Sequence, residues 1–215
     1  MEEYLKGHPF YGATVGRVAN RIRGAGFTVH GSYYHVSPHP SPKVHLHGGL
    51  NGFHTKLWDA EEASPRKGSL GVQLSYTSGD GDEGYPGELS VTVTISLSEE
   101  NRLEFNYRAE TDKATPVNLT NHVYWNLSTD EKIYDHWIRI FASTLVETDN
   151  LQLPTGRLIP VEGTPFDVRS LTRIGERIAQ VERKAAKGFD DCYFIEGWEM
   201  DGNEENLVPA AEPPL

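Results

Sequence analysis

The sequence predicts an all-β domain of antiparallel strands, a sandwich or a barrel. Three observations carry that expectation. Apolar residues alternate with period two in several runs, Gly-, Pro- and Asn-containing turns separate the runs, and a single segment shows helical spacing instead. At 215 residues the chain is long enough to fold as one domain and bury about 70% of its extended surface.

In chain order, Phe27-Thr28-Val29 and Tyr33-Tyr34-His35-Val36 flank His30-Gly31-Ser32 and read as a hairpin. Leu70, Val72, Leu74 and Tyr76 share one face of a strand. The stretch Gly79-Asp80-Gly81-Asp82-Glu83-Gly84-Tyr85-Pro86-Gly87 is too polar and flexible to be core and has the composition of a binding loop. Val91, Val93, Ile95 and Leu97 form a second strand face, and Leu103, Phe105 and Tyr107 a third. Residues 98–102 between them form a hairpin loop. Ile138-Arg139-Ile140 and Cys192-Tyr193-Phe194-Ile195 add strand candidates. One short helix is expected near residues 170–187, capped by Ser170, with Leu171, Ile174, Ile178 and Val181 at helical spacing and Gly188 just past its end. The domain is thus expected over residues 1–198. Residues 199–215, with five acids, no Lys or Arg and a Pro213-Pro214 pair, read as an acidic disordered tail.

Composition narrows the function. Apolar residues make up 37%, and ten Tyr, eight Phe and four Trp supply the large pieces of a core. The formal charge of −11 repels a phosphate backbone, so no nucleic-acid partner is expected. Cys192 stands alone, which forbids an intrachain disulfide and fits a reducing compartment. The first residues, Met-Glu-Glu-Tyr-Leu-Lys, lack the basic and apolar regions of a signal peptide, and no apolar stretch approaches membrane-spanning length. A cytoplasmic protein with no membrane partner is expected.

Two histidines stand in settings that favour proton transfer. His122 lies in Thr120-Asn121-His122-Val123-Tyr124-Trp125-Asn126, where Asn118, Thr120, Asn121 and Asn126 can hold an imidazole and Tyr124 and Trp125 offer flat surfaces for a sugar ring. A histidine satisfied within a strand fits the same spacing. His47 precedes Gly48-Gly49, which permit close backbone approach to a ligand; an ordinary Gly-Gly turn is the plainer reading. His45 and His47 share one face if the segment is a strand and could form a metal pair with His54, although no Cys or second His pair accompanies them. Gly16-Arg17-Val18-Ala19-Asn20-Arg21-Ile22 carries forked donors suited to vicinal hydroxyls or a phosphate, or else a surface pair of salt-bridging arginines. Asp190 and Asp191 are adjacent, face opposite ways in a strand, and so do not form a dyad. Cys192, with no base beside it, reads as a buried structural thiol.

Taken together, these segments resemble the aldose 1-epimerase (galactose mutarotase) family. The matching pieces run in order: Gly16-Arg17-Val18-Ala19-Asn20-Arg21-Ile22, Leu46-His47-Gly48-Gly49, Asp82-Glu83-Gly84-Tyr85-Pro86-Gly87-Glu88-Leu89, Thr115-Pro116-Val117-Asn118-Leu119-Thr120-Asn121-His122 and Gly188-Phe189-Asp190. The resemblance implies a large antiparallel β-sandwich that interconverts the α and β anomers of an aldohexose, galactose or glucose, with no cofactor and no metal. His122 matches the family's general acid; Asn20, Arg21, His47 and Asp190 match its sugar contacts, and Tyr124 lies in its binding motif. The family's general base is a glutamate on a strand well downstream of Gly-Phe-Asp. Here 25 residues follow Asp190, and their glutamates stand outside any matching context. The start is short too. The chain is therefore expected to be the central part of the family fold, truncated at both ends, with impaired catalysis. A non-catalytic sugar-binding protein, and a hexose-6-phosphate 1-epimerase using Arg17 and Arg21 on the phosphate, are the alternatives. A metal-dependent cupin-like enzyme rests only on the His45–His47 pair.

Overall fold

The computed structural model describes residues 10–181, 188–197 and 211–212. They fall into two compact units, Met1–Tyr124 and Trp125–Leu215. Every strand pair among the described residues is antiparallel.

The first unit contains β1 (Thr14–Val15), β2 (Arg21–Arg23), β3 (Gly26–Val29), β4 (Ser32–His35), β5 (Pro40–Ser41), β6 (Val44–Leu46), β7 (Asp59–Ala63), β8 (Ser69–Ser78), β9 (Leu89–Ser98), β10 (Leu103–Thr111) and β11 (Thr120–Asn121). The three long alternating runs become neighbours in a four-stranded sheet of order β10-β9-β8-β7. Its register sets Tyr76 opposite Val91, Leu74 opposite Val93, and Val93 opposite Tyr107, so the predicted faces coincide. That shared face packs on Phe53, Trp58 and Leu119, with Val91 and Val93 fully buried. At the other end of the same face Leu70, Leu97 and Leu103 are cross-strand neighbours and stay exposed, Leu70 at 78%. The period-two pattern thus marks the apolar face, while only half of it is covered.

The predicted hairpin at 27–36 is β3–β4, closed by His30 and Gly31 with both residues at positive φ. The loop at 79–87 differs from its expected character. Tyr85 is 1% exposed and packs with Ala25, Val36 and Phe27, and Pro86 and Gly87 are buried as well. Asp80 explains how so polar a loop tucks in, because its carboxylate accepts from the Gly87 N–H and from Lys113.

The second unit contains β12 (Trp137–Ile140), β13 (Thr144–Thr148), β14 (Pro154–Pro160), β15 (Thr172–Arg173), α1 (Ile174–Ile178), β16 (Tyr193–Phe194) and β17 (Ala211–Glu212), in sheets of order β15-β12-β17 and β14-β13-β16. The short helix lies within the predicted span but does not start at Ser170. Thr172 and Arg173 pair with Ile138 and Trp137 in extended form, and the helix begins after them, at an N-terminus with no side-chain cap. Residues 182–187 of the predicted helix lie outside the described residues. So does most of the predicted tail: only 211–212 are described, and they pair with Arg139 and Ile140.

Candidate active site

The His47 loop is built by backbone chemistry. β2 pairs with β6 so that Arg21 faces Leu46, and the chain then turns through His47, Gly48 and Gly49 at φ of 53°, 83° and 91°. Asn20, itself at φ 61°, closes the turn from the other side. The His47 N–H donates to the Asn20 carbonyl at 3.0 Å, and the Asn20 N–H donates to His47 Nδ1 at 3.0 Å. An Nδ1 that accepts cannot carry the proton, so the neutral ring holds it on Nε2 and offers a donor there. Gly48 is obligatory in this arrangement, because a Cβ there would lie 1.7 Å from the Gly16 carbonyl oxygen. The close approach at Gly48 is thus to the Gly16 backbone, and at Gly49 to the Glu83 carboxylate. Behind the loop, Glu83 Oε1 accepts the Asn51 N–H at 2.8 Å.

His122 follows β11, whose partner β1 fixes the backbone on both sides: the His122 N–H donates to Ala13 O at 2.9 Å and the Gly12 N–H to His122 O at 3.0 Å. Its imidazole packs against three rings, with centroids 5.1 Å away at His47, 5.1 Å at Tyr124 and 5.7 Å at Phe10. Two of the asparagines expected to hold it do something else. Asn121 bonds the nearby Val123 N–H and, on the chain entering β1, the Gly12 carbonyl, while Asn126 bonds the Asp130 carbonyl and the Ser128 N–H within its own turn. Tyr124 is 57% exposed and braced edge-on by Tyr11 at 5.1 Å. Arg21 Nη1 donates to Asn20 Oδ1 at 3.1 Å. Arg21, Asn20, His47, His122 and Tyr124 thus form one continuous chain of contacts in the first unit.

The profile of the aldose 1-epimerase family matches residues 1–211. The chain belongs to the aldose 1-epimerase family. Human galactose mutarotase is 44% identical over 199 residues, covering 92% of this chain and 55% of its own length. Rat galactose mutarotase is 47% identical over 197 residues, 91% of this chain and 55% of its own, and the aldose 1-epimerase of Escherichia coli K12 is 36% identical over 189 residues, 87% and 53%. The chain spans little more than half the length of these curated relatives. Among solved structures, galactose 1-epimerase from Lactobacillus acidophilus superposes with a TM-score of 0.81 at 30% identity, covering 98% of this chain and 60% of that one. An aldose epimerase homologue from C. elegans gives 0.73 at 33% identity over 82% and 53%. The all-β antiparallel fold expected from the sequence is the fold of this family.

Other predicted residues of this aldose 1-epimerase family member have different tasks. Arg17 is 2% exposed, and its guanidinium donates to Ser78 Oγ and to the carbonyls of Ser78, Gly79 and Pro86 at 2.8–3.1 Å. It pins the 79–87 loop and is not available to a phosphate. His45 is wholly buried; its Nδ1 donates to Ser37 O at 2.6 Å and its Nε2 accepts the Tyr85 hydroxyl at 2.7 Å. Burial pulls its pKa below the ordinary 6.5 and pushes that of Tyr85 up. The supposed metal pair does not form, because β6 ends at Leu46 and the left-handed turn at His47 sends the two rings to different neighbours. Among the described residues no group of three His, Cys, Asp or Glu could hold a metal ion. Asp190 lies in the second unit, where Gln152 donates to it at 2.8 Å. Cys192 is exposed and not the buried thiol expected: β16 begins only at Tyr193, after the cysteine. No helix among the described residues is long and apolar enough to cross a membrane. Sequence reading missed Phe10 and Tyr11. Their only signal was an aromatic pair immediately before Gly12 and the first strand.

Proposed function

We propose that this chain binds an aldohexopyranose, galactose or glucose, and that the anomer interconversion for which its family is named runs through His122 as the acid. The observation that carries this reading is the imidazole pair: His122 and His47 stand 5.1 Å apart, and His47 is fixed as a donor by the Asn20 N–H. In the proposed reaction a water molecule takes the O1–H proton as C1–O5 breaks, and the ring oxygen takes a proton from His122. Rotation about C1–C2 presents the other face of the aldehyde, and the steps reverse. His47, Arg21 and Asn20 orient hydroxyls and stabilise negative charge developing on oxygen, and Tyr124 stacks on the sugar's C–H face.

The base has no clear owner in the first unit. Asp82 accepts from Ser78 at 2.8 Å and pairs with Lys56 at 3.3 Å, while Glu83 is held by Asn51. We assign the base to neither and propose that turnover by these residues alone is slow beside that of a site holding both an acid and a base. Exchange NMR on galactose and glucose, with binding measured separately, tests the reading. His122→Asn keeps a polar group of similar reach but removes the titrating proton, and is expected to forfeit about 10²–10⁴-fold of any acceleration. Activity within about threefold of wild type would remove His122 as the acid. Sugar binding without exchange in the wild type would favour a binding protein.

A further inference from the structure

Phe10 stands just before β1, at φ 61°, with its carbonyl accepting the Ala13 N–H at 3.0 Å. Its ring touches three imidazoles. It meets His47 at 4.7 Å and 62°, His54 at 4.6 Å and 75°, and His122 at 5.7 Å and 33°. Two of these contacts are edge-on and the third is inclined, the arrangements that an aromatic quadrupole favours. Phe10 belongs to neither buried core cluster of the unit. Its ring therefore does not serve general packing; it fills the space between the histidines.

We propose that Phe10 is a positioning residue that sets the separation and mutual tilt of His47 and His122, an inference that rests on the reading of His122 as the acid. The physical need is plain. His47 is anchored at Nδ1, but the amides near His122 bond backbone groups and leave its imidazole to be oriented by ring contacts. Rotation about two side-chain bonds would swing that imidazole away from the sugar. A flat, rigid ring wedged against both histidines blocks the swing without supplying a competing hydrogen bond, so the acid's proton stays available to the substrate. An aliphatic side chain of similar volume fills the space but cannot maintain the edge contacts.

The test uses the full chain with ¹³C-labelled histidine. The wild type is expected to show a cross-peak between ring protons of His47 and His122, whose centroids are 5.1 Å apart. Phe10→Leu is expected to lose that cross-peak and to lower kcat for anomer exchange by about ten- to a hundredfold, with the circular dichroism of the fold unchanged. Phe10→Tyr restores the ring and is expected to recover both. Should Phe10→Leu not fold, Phe10→Met carries the same readouts. A cross-peak absent from the wild type, a cross-peak intact in the aliphatic variant, or an aliphatic variant with wild-type kcat overturns the proposal. If the wild type shows no exchange, the reading of His122 as an acid fails by itself, and the cross-peak alone judges Phe10.

Discussion

One tightly held side chain beside the His47 turn is closed off from solvent altogether. His45 is fully buried with both ring nitrogens bonded, one as donor to Ser37 O and one as acceptor from Tyr85. The Tyr85 hydroxyl is the only part of this pair that can be deleted without opening a large void. Tyr85→Phe would leave Nε2 as a buried acceptor with its donor removed, at a cost of about 1–3 kcal/mol. The expected outcome is a clear fall in the urea midpoint with no change in its slope. Because His45 sits two residues before His47 on the segment that ends at the turn, sugar affinity should fall only modestly. A midpoint equal to wild type would show that the bond adds nothing over the apolar packing of the Tyr85 ring.

At the scale of elements, the site depends on two tight turns being forced together. The 47–49 turn rests against the Gly16 backbone on one side, and the 79–87 loop supports it through the Glu83 contact with Asn51 and the Tyr85 contact with His45. Gly48→Ala would collide with a backbone carbonyl that cannot rotate away, on top of the cost of a left-handed non-glycine residue. Gly31→Ala is the matched comparison, with φ 81° and nothing within 4 Å of the added carbon. It should lose only the backbone preference, about 1–2 kcal/mol, whereas Gly48→Ala should lose more stability and weaken sugar binding as well. Equal costs in chemical denaturation would refute the close-packed turn. The same elements show what the sequence could and could not disclose. β8, β9 and β10 are long enough to write their alternation in the chain, and the His30–Gly31 turn is spelled by its residues. β1, β2, β6 and β11, which carry or flank the site, have two or three residues each, too few to express a period. His122 and His47 were legible as candidates from the small hydrogen-bonding residues and the glycines beside them. Phe10 was not, since its role exists only once distant segments of the chain meet. The loop's Asp and Gly residues spelled a turn and concealed that Tyr85 and Arg17 would bury themselves beneath it.

For the whole molecule the decisive variable is acidity. The formal charge is −11, so acidification relieves self-repulsion among surface carboxylates. That relief is small, because exposed charges farther apart than about 8–10 Å are screened at ordinary salt. His45 acts the other way and is shielded from solvent. Its native pKa lies below the ordinary 6.5, chiefly through burial, with His39 adding repulsion and the Ser37 carbonyl and Glu83 opposing. Between its native value and 6.5 the unfolded chain binds a proton that the native state refuses, so stability falls as pH drops through that window, with a slope approaching about 1.4 kcal/mol per pH unit. A second loss follows at lower pH. Asp80 is held down by Lys113 and the Gly87 N–H, Glu147 by Thr155 and Arg157, and Asp167 by Arg169, so each contributes stability above its ordinary value, 3.8 for aspartate and 4.5 for glutamate, that disappears as it is protonated below it. Asp80 is exposed and Glu147 and Asp167 are half-buried, all three within reach of salt, whereas His45 is fully buried. Melting curves from pH 8 to 3 should therefore show two stages of destabilisation, the upper one unchanged by added salt and the lower one weakened. His45→Gln keeps one donor and one acceptor but cannot titrate, and should abolish the upper stage while leaving the lower one in place. A wild type whose melting temperature is flat from pH 7 to 5, or a His45→Gln variant that retains the upper stage, would assign that loss to a group other than His45.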